Sequence, residues 1–242
     1  HQSLYNKNRI WAITWSANSK GEFSALSYTD DNGDFWYTTK PSGIEEKIYN
    51  LYSSENKIWA ASESGLYVSE NGTFWEKYNR PIDSISGEEL LAESVMTTSY
   101  SDFFDWLWLG TVDGIAITKN DGIDWNIYRF WQKYLSNTDN VNSFFSAYPN
   151  PFFINAYNQI NGNGYVRFRF YNPDNKKSKI DIFDFAMDKV IELNDANYIN
   201  NSESEIIWNG KNEYSDKISN GTYFCRLSIN NNYYWTKLSI IN

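Results

Sequence analysis

Histidine and cysteine are almost missing from this chain: one histidine, at position 1, and one cysteine, Cys225, in 242 residues. That scarcity excludes a His/Cys zinc site, a disulfide framework, and any Ser–His or Cys–His nucleophile built from internal residues. Positive charge is also short, with 21 Lys plus Arg against 30 Asp plus Glu, a formal net charge of −9. Nucleic acids and anionic membranes are held by clustered Lys and Arg, so neither is an expected partner. No apolar run approaches the roughly 18 residues that mark a spanning helix, and no membrane insertion is expected. The chain opens at His1-Gln2-Ser3 with no charged start, apolar stretch and small-residue cleavage site, so it reads as a mature product or a piece of something longer.

Aromatic residues are what the chain has in abundance: 11 Trp, 19 Tyr and 15 Phe, 19% of the total. Acidic disordered segments are poor in aromatics, so this chain is expected to fold. The indoles recur at intervals. An apolar residue followed by Trp appears as Ile10-Trp11, Ile58-Trp59 and Leu107-Trp108, with spacings of 59 − 11 = 48 and 108 − 59 = 49. The last two are followed by Gly65-Leu66-Tyr67-Val68-Ser69 and Gly114-Ile115-Ala116-Ile117-Thr118. A polar turn with Gly and a further Trp comes next: Gly33 and Trp36, Gly72 and Trp75, Gly122 and Trp125. The runs are short, rich in β-branched and aromatic residues, and broken by Gly, Asn and Asp, which favours strands over helices. Leu66 and Val68 alternate with Tyr67 and Ser69, as on the two faces of a strand. A period in the forties with several strands per unit fits the blade of a β-propeller.

The grammar changes after Ser136-Asn137-Thr138-Asp139-Asn140, a polar, breaker-rich linker candidate. Strands are expected at 165–171, 179–185, 204–208, 222–229 and 233–241, separated by Asn-rich turns. Short strands with one buried face each, here Val166, Phe168 and Phe170, indicate a β-sandwich. The fold class read from the sequence is therefore mainly β. About three four-stranded blades of a partial propeller occupy residues 1–140, and an Ig-like sandwich occupies residues 141–242.

The turns Thr29-Asp30-Asp31-Asn32-Gly33-Asp34-Phe35-Trp36 and Thr118-Lys119-Asn120-Asp121-Gly122-Ile123-Asp124-Trp125 share one spacing, Ser/Thr-x-Asp/Asn-x-Gly-x-x-Trp. In the middle copy Ser69 sits one residue too close and Glu70 takes the acidic place. Such a turn is a hairpin clasp. A side-chain oxygen accepts backbone N–H bonds, the Gly adopts positive φ, and the Trp folds back over the hairpin. Over residues 8 to 135 the chain resembles the Asp-box, or BNR-type, β-propellers of sialidases, xyloglucanase-like enzymes and many non-enzymatic surface propellers. The segment from Trp108 to Trp125 also looks like the sensor propellers of bacterial histidine kinases. The resemblance implies a structural role for Thr29, Asp31, Gly33, Trp36, Gly72, Trp75, Thr118, Asn120, Gly122 and Trp125, away from the ligand-binding face. Three blades do not close a ring, because propellers carry about 4 to 8. The blades are therefore read as the C-terminal part of a larger propeller, and the isolated chain is expected to oligomerise or aggregate.

The second half runs Tyr148-Pro149-Asn150-Pro151-Phe152, Ile180-Asp181-Ile182-Phe183-Asp184, Ile206-Ile207-Trp208-Asn209-Gly210, Asn220-Gly221-Thr222-Tyr223-Phe224-Cys225 and Thr236-Lys237-Leu238. In that order the motifs resemble the C-terminal Ig-like domains of the FlgD-like and type IX secretion sorting families of Bacteroidetes and related phyla. The resemblance implies a secreted or cell-surface protein that passes through the periplasm, with the secretion machinery as partner. It makes Pro149, Asn150, Pro151, Trp208, Gly210, Gly221, Tyr223, Lys237 and Leu238 the motif residues. One departure stands out: Met187 and Asp188 occupy the places where the family has Gly and a basic residue. From the residues themselves, Gly221 is expected to permit a turn, Trp208 to plug the core, and Cys225 to be a small buried hydrophobe.

Paired carboxylates are the catalytic raw material that remains. Asp102 and Asp105 flank Phe103-Phe104, and Glu88-Glu89 lie in a loop. A glycosidase needs two carboxylates across a sugar, and the solvated-loop reading of these pairs is preferred. Sialidase chemistry would need clustered Arg, yet the blades hold Arg9, Arg80 and Arg129 singly. Asp30 to Asp34 superficially matches a calcium loop, but the clasp reading is preferred and no metal or cofactor is expected. The sequons beginning at Asn71, Asn200 and Asn220 are read as chance. Trp106, Trp108 and Trp131 are candidates for a carbohydrate platform, against inter-blade packing as the preferred role. Two functions stay open: a non-enzymatic propeller that binds carbohydrate or protein, which is preferred, and a propeller glycoside hydrolase whose catalytic residues lie upstream.

Overall fold

The computed structural model describes residues 8–17, 22–43, 46–129, 145–156, 158–194, 196–200 and 203–242. The linker candidate at 136–140 and Trp131 lie outside them. The chain is mainly β, and forms two compact units, His1–Arg129 and Phe130–Asn242.

The first unit contains three antiparallel sheets built in chain order. The first holds β1 (Ile10–Thr14), β2 (Ala25–Thr29) and β3 (Tyr37–Thr39). The second holds β4 (Ile48–Ser53), β5 (Ile58–Ser62), β6 (Leu66–Ser69) and β7 (Glu76–Lys77). The third holds β8 (Thr97–Ser101), β9 (Trp106–Thr111), β10 (Gly114–Thr118) and β11 (Asn126–Tyr128). Each is a meander whose neighbours in sequence are neighbours in space, as tight polar turns dictate. The repeat is visible in the pairing register. Ile10 faces Thr29, Ile58 faces Ser69 and Leu107 faces Thr118, so the Trp that follows occupies one position in all three sheets. The first sheet shows three strands among the described residues, against the four expected of each blade.

Burial shows how the sheets stack. Every residue of β5 is buried, whereas β9 buries Leu107 and Leu109 and leaves Trp106 and Trp108 accessible. Alternate residues of the middle sheet feed two cores. Ile58, Ala60 and Tyr67 join Trp11 and Leu26, while Trp59, Ala61 and Leu66 join Leu107, Leu109 and Trp125. The alternation of Leu66 and Val68 with Tyr67 is thus real, but both faces are apolar because a sheet lies on each side. A buried ion cluster pins the segment between β7 and β8: Arg129 meets Asp113 at 3.3 Å and also pairs with Glu88, with Arg129 4% and Asp113 0% exposed at the side chain.

The second unit is a two-layer sandwich. One sheet has the order β12 (Phe145–Tyr148), β16 (Val166–Tyr171), β20 (Glu203–Trp208), β19 (Asn197–Asn200). The other has the order β13 (Phe152–Phe153), β22 (Asn232–Ile241), β21 (Gly221–Ile229), β17 (Ser178–Phe183), β18 (Lys189–Leu193). A two-residue ribbon, β14 (Gln159–Ile160) with β15 (Asn163–Gly164), stands apart. The core includes Phe152, Val166, Phe168, Phe170, Ile180, Ile182, Trp208, Cys225, Leu227 and Leu238. The expected buried face of β16 is as read, but Arg167 and Arg169 on its other face are buried too. Arg167 pairs with Glu205, and Arg169 lies 3.0 Å from Glu203, so the charges buried there are matched.

The turn at Met187-Asp188 takes a backbone geometry that a glycine would adopt freely. Met187 has φ of 68° and its amide donates to the Asp184 carbonyl at 3.1 Å. The Asp184 carboxylate accepts from the Asp188 amide at 2.9 Å, which closes the turn from the other side.

Candidate functional site

The three clasps close by the same bonds. Thr29 Oγ1 donates to Asp31 Oδ1 at 2.6 Å and accepts from the Gly33 amide at 2.9 Å, and Asp31 Oδ1 accepts from the Phe35 amide at 3.0 Å. The Thr29 hydroxyl, then the Phe35 amide, hold the Asp31 carboxyl below the ordinary carboxylate range. In the third clasp, Thr118 Oγ1 accepts from the Gly122 amide at 2.9 Å and Asn120 Oδ1 from the Asp124 amide at 2.9 Å. In the second, Ser69 Oγ accepts from the Gly72 amide at 2.8 Å, and Asn71 Oδ1 from the Thr73 and Phe74 amides at 2.8 and 3.0 Å. The assignment of Glu70 to the acidic place is therefore corrected: Asn71 takes it, and this turn is shorter by one residue on its Gly side.

The glycines and indoles of the second and third clasps tie their sheets to the one before, whereas Trp36 of the first, expected to fold back over its hairpin, is 48% exposed. Gly72 and Gly122 have φ of 79° and 85°, and a Cβ there would lie 2.5 Å from Trp11 and 2.4 Å from Tyr78. Trp75 and Trp125 donate from Nε1 to the carbonyls of Gly72 and Gly122 at 3.2 and 3.1 Å. Asp30, in the loop with calcium-like spacing, faces Arg9 instead, at 2.8 Å. The other two arginines of this unit are also engaged: Glu88, expected in a solvated loop, is instead largely buried against Arg129, whereas Glu89 pairs with Arg80 at the surface.

Between the second and third sheets lie two cavities that share Lys57 and Asp121 on their walls. The larger, 450 Å³, is also lined by Asn71, Phe74 and Tyr78. The smaller, 250 Å³, is lined by Trp59, Tyr100, Asp102 and Asp105, so the structure brings the sequence pair Asp102 and Asp105 to one cavity. Lys57 Nζ lies 2.5 Å from Asp121 Oδ2, and the Tyr78 hydroxyl donates to Asp121 Oδ1 at 2.8 Å. The Lys57 bond, with help from Tyr78, holds Asp121 below the ordinary carboxylate range. The Tyr100 hydroxyl donates to Asp105. Burial and the adjacent Asp105 carboxylate push Tyr100 up to about 12, which leaves a neutral phenol rather than a nucleophile. The two cavities thus present carboxylates, phenols and the ammonium groups of Lys57 and Lys77, groups whose hydrogen-bonding capacity suits a hydroxyl-rich ligand. Lys57, Tyr78, Tyr100 and Asp121 carry no local sequence signal for this role, because Lys57 and Asp121 meet across 64 residues.

Trp106 and Trp108 do not line the cleft. With Phe103 and Phe104 they form a ladder of rings along β9, with centroid separations of 4.7, 5.2 and 6.2 Å, and Lys119 Nζ lies 4.2 Å from the Trp106 ring.

In the second unit Asn150 ties the segment before β13 to β22, while Trp208 and Gly210 pack around Phe152. Asn150, between Pro149 and Pro151, donates from Nδ2 to the Lys237 carbonyl at 2.9 Å and accepts at Oδ1 from the Ser239 amide at 3.0 Å. Trp208 packs on Phe152 and Phe168 and donates to the Lys211 carbonyl at 2.8 Å. Gly210 has φ of 72°, and a Cβ there would lie 2.9 Å from Phe152. The Tyr223 hydroxyl donates to the Ser219 carbonyl at 2.9 Å, and Leu238 is buried. Gly221 departs from expectation: it opens β21 without positive φ, and the nearest atom to a Cβ there is 3.7 Å away on Tyr223. Cys225 is fully buried, and burial pushes its thiol up to about 12.

No protein-family model and no curated protein matches the chain. Among solved structures, PorZ, a surface component of the type IX secretion system of Porphyromonas gingivalis, aligns at 10% identity and a TM-score of 0.34, over 97% of this chain and 37% of its own. The Niastella koreensis GH74 enzyme aligns at 11% identity and a TM-score of 0.40, over 96% and 36% respectively. Dimeric latent PorU from Porphyromonas gingivalis aligns at 12% identity and a TM-score of 0.34, over 98% and 29%. The chain therefore spans about a third of the length of the solved structures it matches.

Proposed function

We propose that this is a non-enzymatic, secreted or cell-surface protein in which propeller blades present a binding or scaffold face and an Ig-like domain directs export through type IX secretion. In this reading residues 1–140 belong to a larger propeller, residues 141–242 form the sorting and anchoring domain, and the secretion machinery is the partner. The observation that carries it is the ordered set of second-unit motifs, in which Asn150 near the start bonds the backbone at Lys237 and Ser239 near the end. Fusing residues 146–242 to a reporter in a type IX-secreting bacterium tests the sorting role. The reporter reaches the cell surface or medium if the reading holds, and retention in the periplasm defeats it.

The ligand reading for the blades is a carbohydrate held in the cleft around Lys57, Asp121 and Tyr100. A glycan array with the wild-type chain and Asp121→Asn tests it, and signal unchanged by the substitution removes the cleft from consideration. The alternative is a glycoside hydrolase whose catalytic residues lie upstream of these blades, and the cavity shared by Asp102 and Asp105 does not bear on it. A hydrolysis assay on the glycans that bind separates turnover from binding.

A further inference from the structure

The five-stranded sheet of the second unit turns one face to the core, and its other face is not the polar surface that such a sheet ordinarily presents to water. The pairing register sets the rows of that outer face. In one row Trp235 lies opposite Arg226, Arg226 opposite Asp181 and Asp181 opposite Glu192. In the next, Lys237 lies opposite Phe224, Phe224 opposite Phe183 and Phe183 opposite Lys189. The Arg226 guanidinium stands 5.1, 5.3 and 5.7 Å from the Phe183, Tyr233 and Trp235 rings, and Phe185 packs on Phe224. The rings stay open to water: Phe185 is 81%, Tyr233 63% and Trp235 50% exposed. A contiguous surface of this kind marks an interaction site.

Its charge runs against that of the chain. Residues 130–242 hold 11 Lys plus Arg and 11 Asp plus Glu, so the formal −9 resides in residues 1–129. On the outer face four cations, Lys179, Lys189, Arg226 and Lys237, meet the two carboxylates of Asp181 and Glu192. Asp181, 1% exposed at the side chain, pairs with Arg226 at 2.8 Å, and Glu192 pairs with Lys179 at 2.7 Å and Lys189 at 3.3 Å. Positive charge is thus in excess beside exposed rings.

We propose that this face binds an acidic polysaccharide, a polymer of sugar rings that carry carboxylates. The apolar faces of the sugars stack on Tyr233 and Trp235, and the carboxylates meet the lysines. Charge complementarity selects an anion, and the open sheet suits a polymer lying flat. Protein interfaces are depleted in lysine, whereas three of the four cations here are lysines, strongly hydrated point charges that pair with an anion while staying wet. Single-stranded nucleic acid also takes rings and cations, but along a groove of positive charge that tracks the phosphates, and here two carboxylates stand among the cations. The proposal assigns a ligand to the second unit, and depends neither on the sorting role nor on the cleft around Lys57.

Isothermal titration calorimetry of the full chain with a galacturonate octamer tests it, beside a neutral galactose octamer, octaglutamate and an oligothymidylate of the same length. Saturable binding of the galacturonate is expected, weakening as salt is raised. Trp235→Ala, and Lys189→Ala combined with Lys237→Ala, each weaken it about tenfold, while Asp121→Asn in the first unit leaves it unchanged. These side chains lie off the core, and an unreactive Cys225 thiol reports that the sandwich is intact; Tyr233→Ala replaces Trp235→Ala should the latter expose that thiol. Absence of saturable binding, equal binding of the neutral octamer, or tighter binding of octaglutamate or oligothymidylate overturns the proposal. So does binding that survives the substitutions on the face, or that is lost with Asp121→Asn alone.

Discussion

Trp59 of one sheet stacks on Tyr100 of the next, with ring centroids 4.6 Å apart and an interplanar angle of 23°. This pair joins the second and third sheets, and the indole is almost wholly buried. Removing it leaves a void that neighbouring strands cannot fill. Trp59→Ala is expected to destabilise the first unit by about 3–5 kcal/mol. Urea titration with a probe in each unit checks this. A loss spread equally over both units contradicts the separate cores.

The middle clasp makes a sharper distinction. Asn71→Ala removes the acceptor of two amides and is expected to cost about 1 kcal/mol, whereas Glu70→Ala changes stability by less than about 0.5 kcal/mol. Thermal unfolding of the two variants decides between them. A larger effect at Glu70 would return the acidic place to that residue.

Met187 sits at positive φ, where a side chain costs roughly 1–2 kcal/mol in steric strain. Met187→Gly relieves the strain. A stabilisation of about 0.5–1 kcal/mol is expected, part of the relief being offset by the entropy of glycine in the unfolded chain. A destabilised variant means that the half-exposed Met187 side chain contributes contacts that outweigh the strain.

The carboxyls of Asp31 and Asp121 lie below their ordinary range, Asp31 through Thr29 and Asp121 through Lys57. A lowered folded-state pKa gives stability that is fully present above the unfolded value near 3.9 and fades as pH falls through the folded value. The first unit is therefore expected to lose stability progressively below about pH 4, and Asp121→Asn to flatten that limb. Melting temperature followed from pH 6 to pH 2 reports it. An unchanged acid limb in the variant falsifies the Lys57 linkage.

Much of this architecture was legible because it is local. Short aromatic strands and turn residues each act over a few residues, and they located the strands and the clasps. The departures came where an outcome depends on distant neighbours. The sequence does not show that β5 is covered on both sides, that Arg167 and Glu205 are buried together, or that Asn71 rather than Glu70 closes the middle clasp. Gly221 opens β21 without positive φ, because a glycine's conformational freedom is permission and not a requirement. The cleft was the least legible part, since Lys57 and Asp121 come from different sheets. Periodicity thus determined by itself that indoles and clasps repeat. The stacking of one sheet on the next decided which indole is buried and which carboxylate meets a lysine, because burial and charge pairing depend on separation in space.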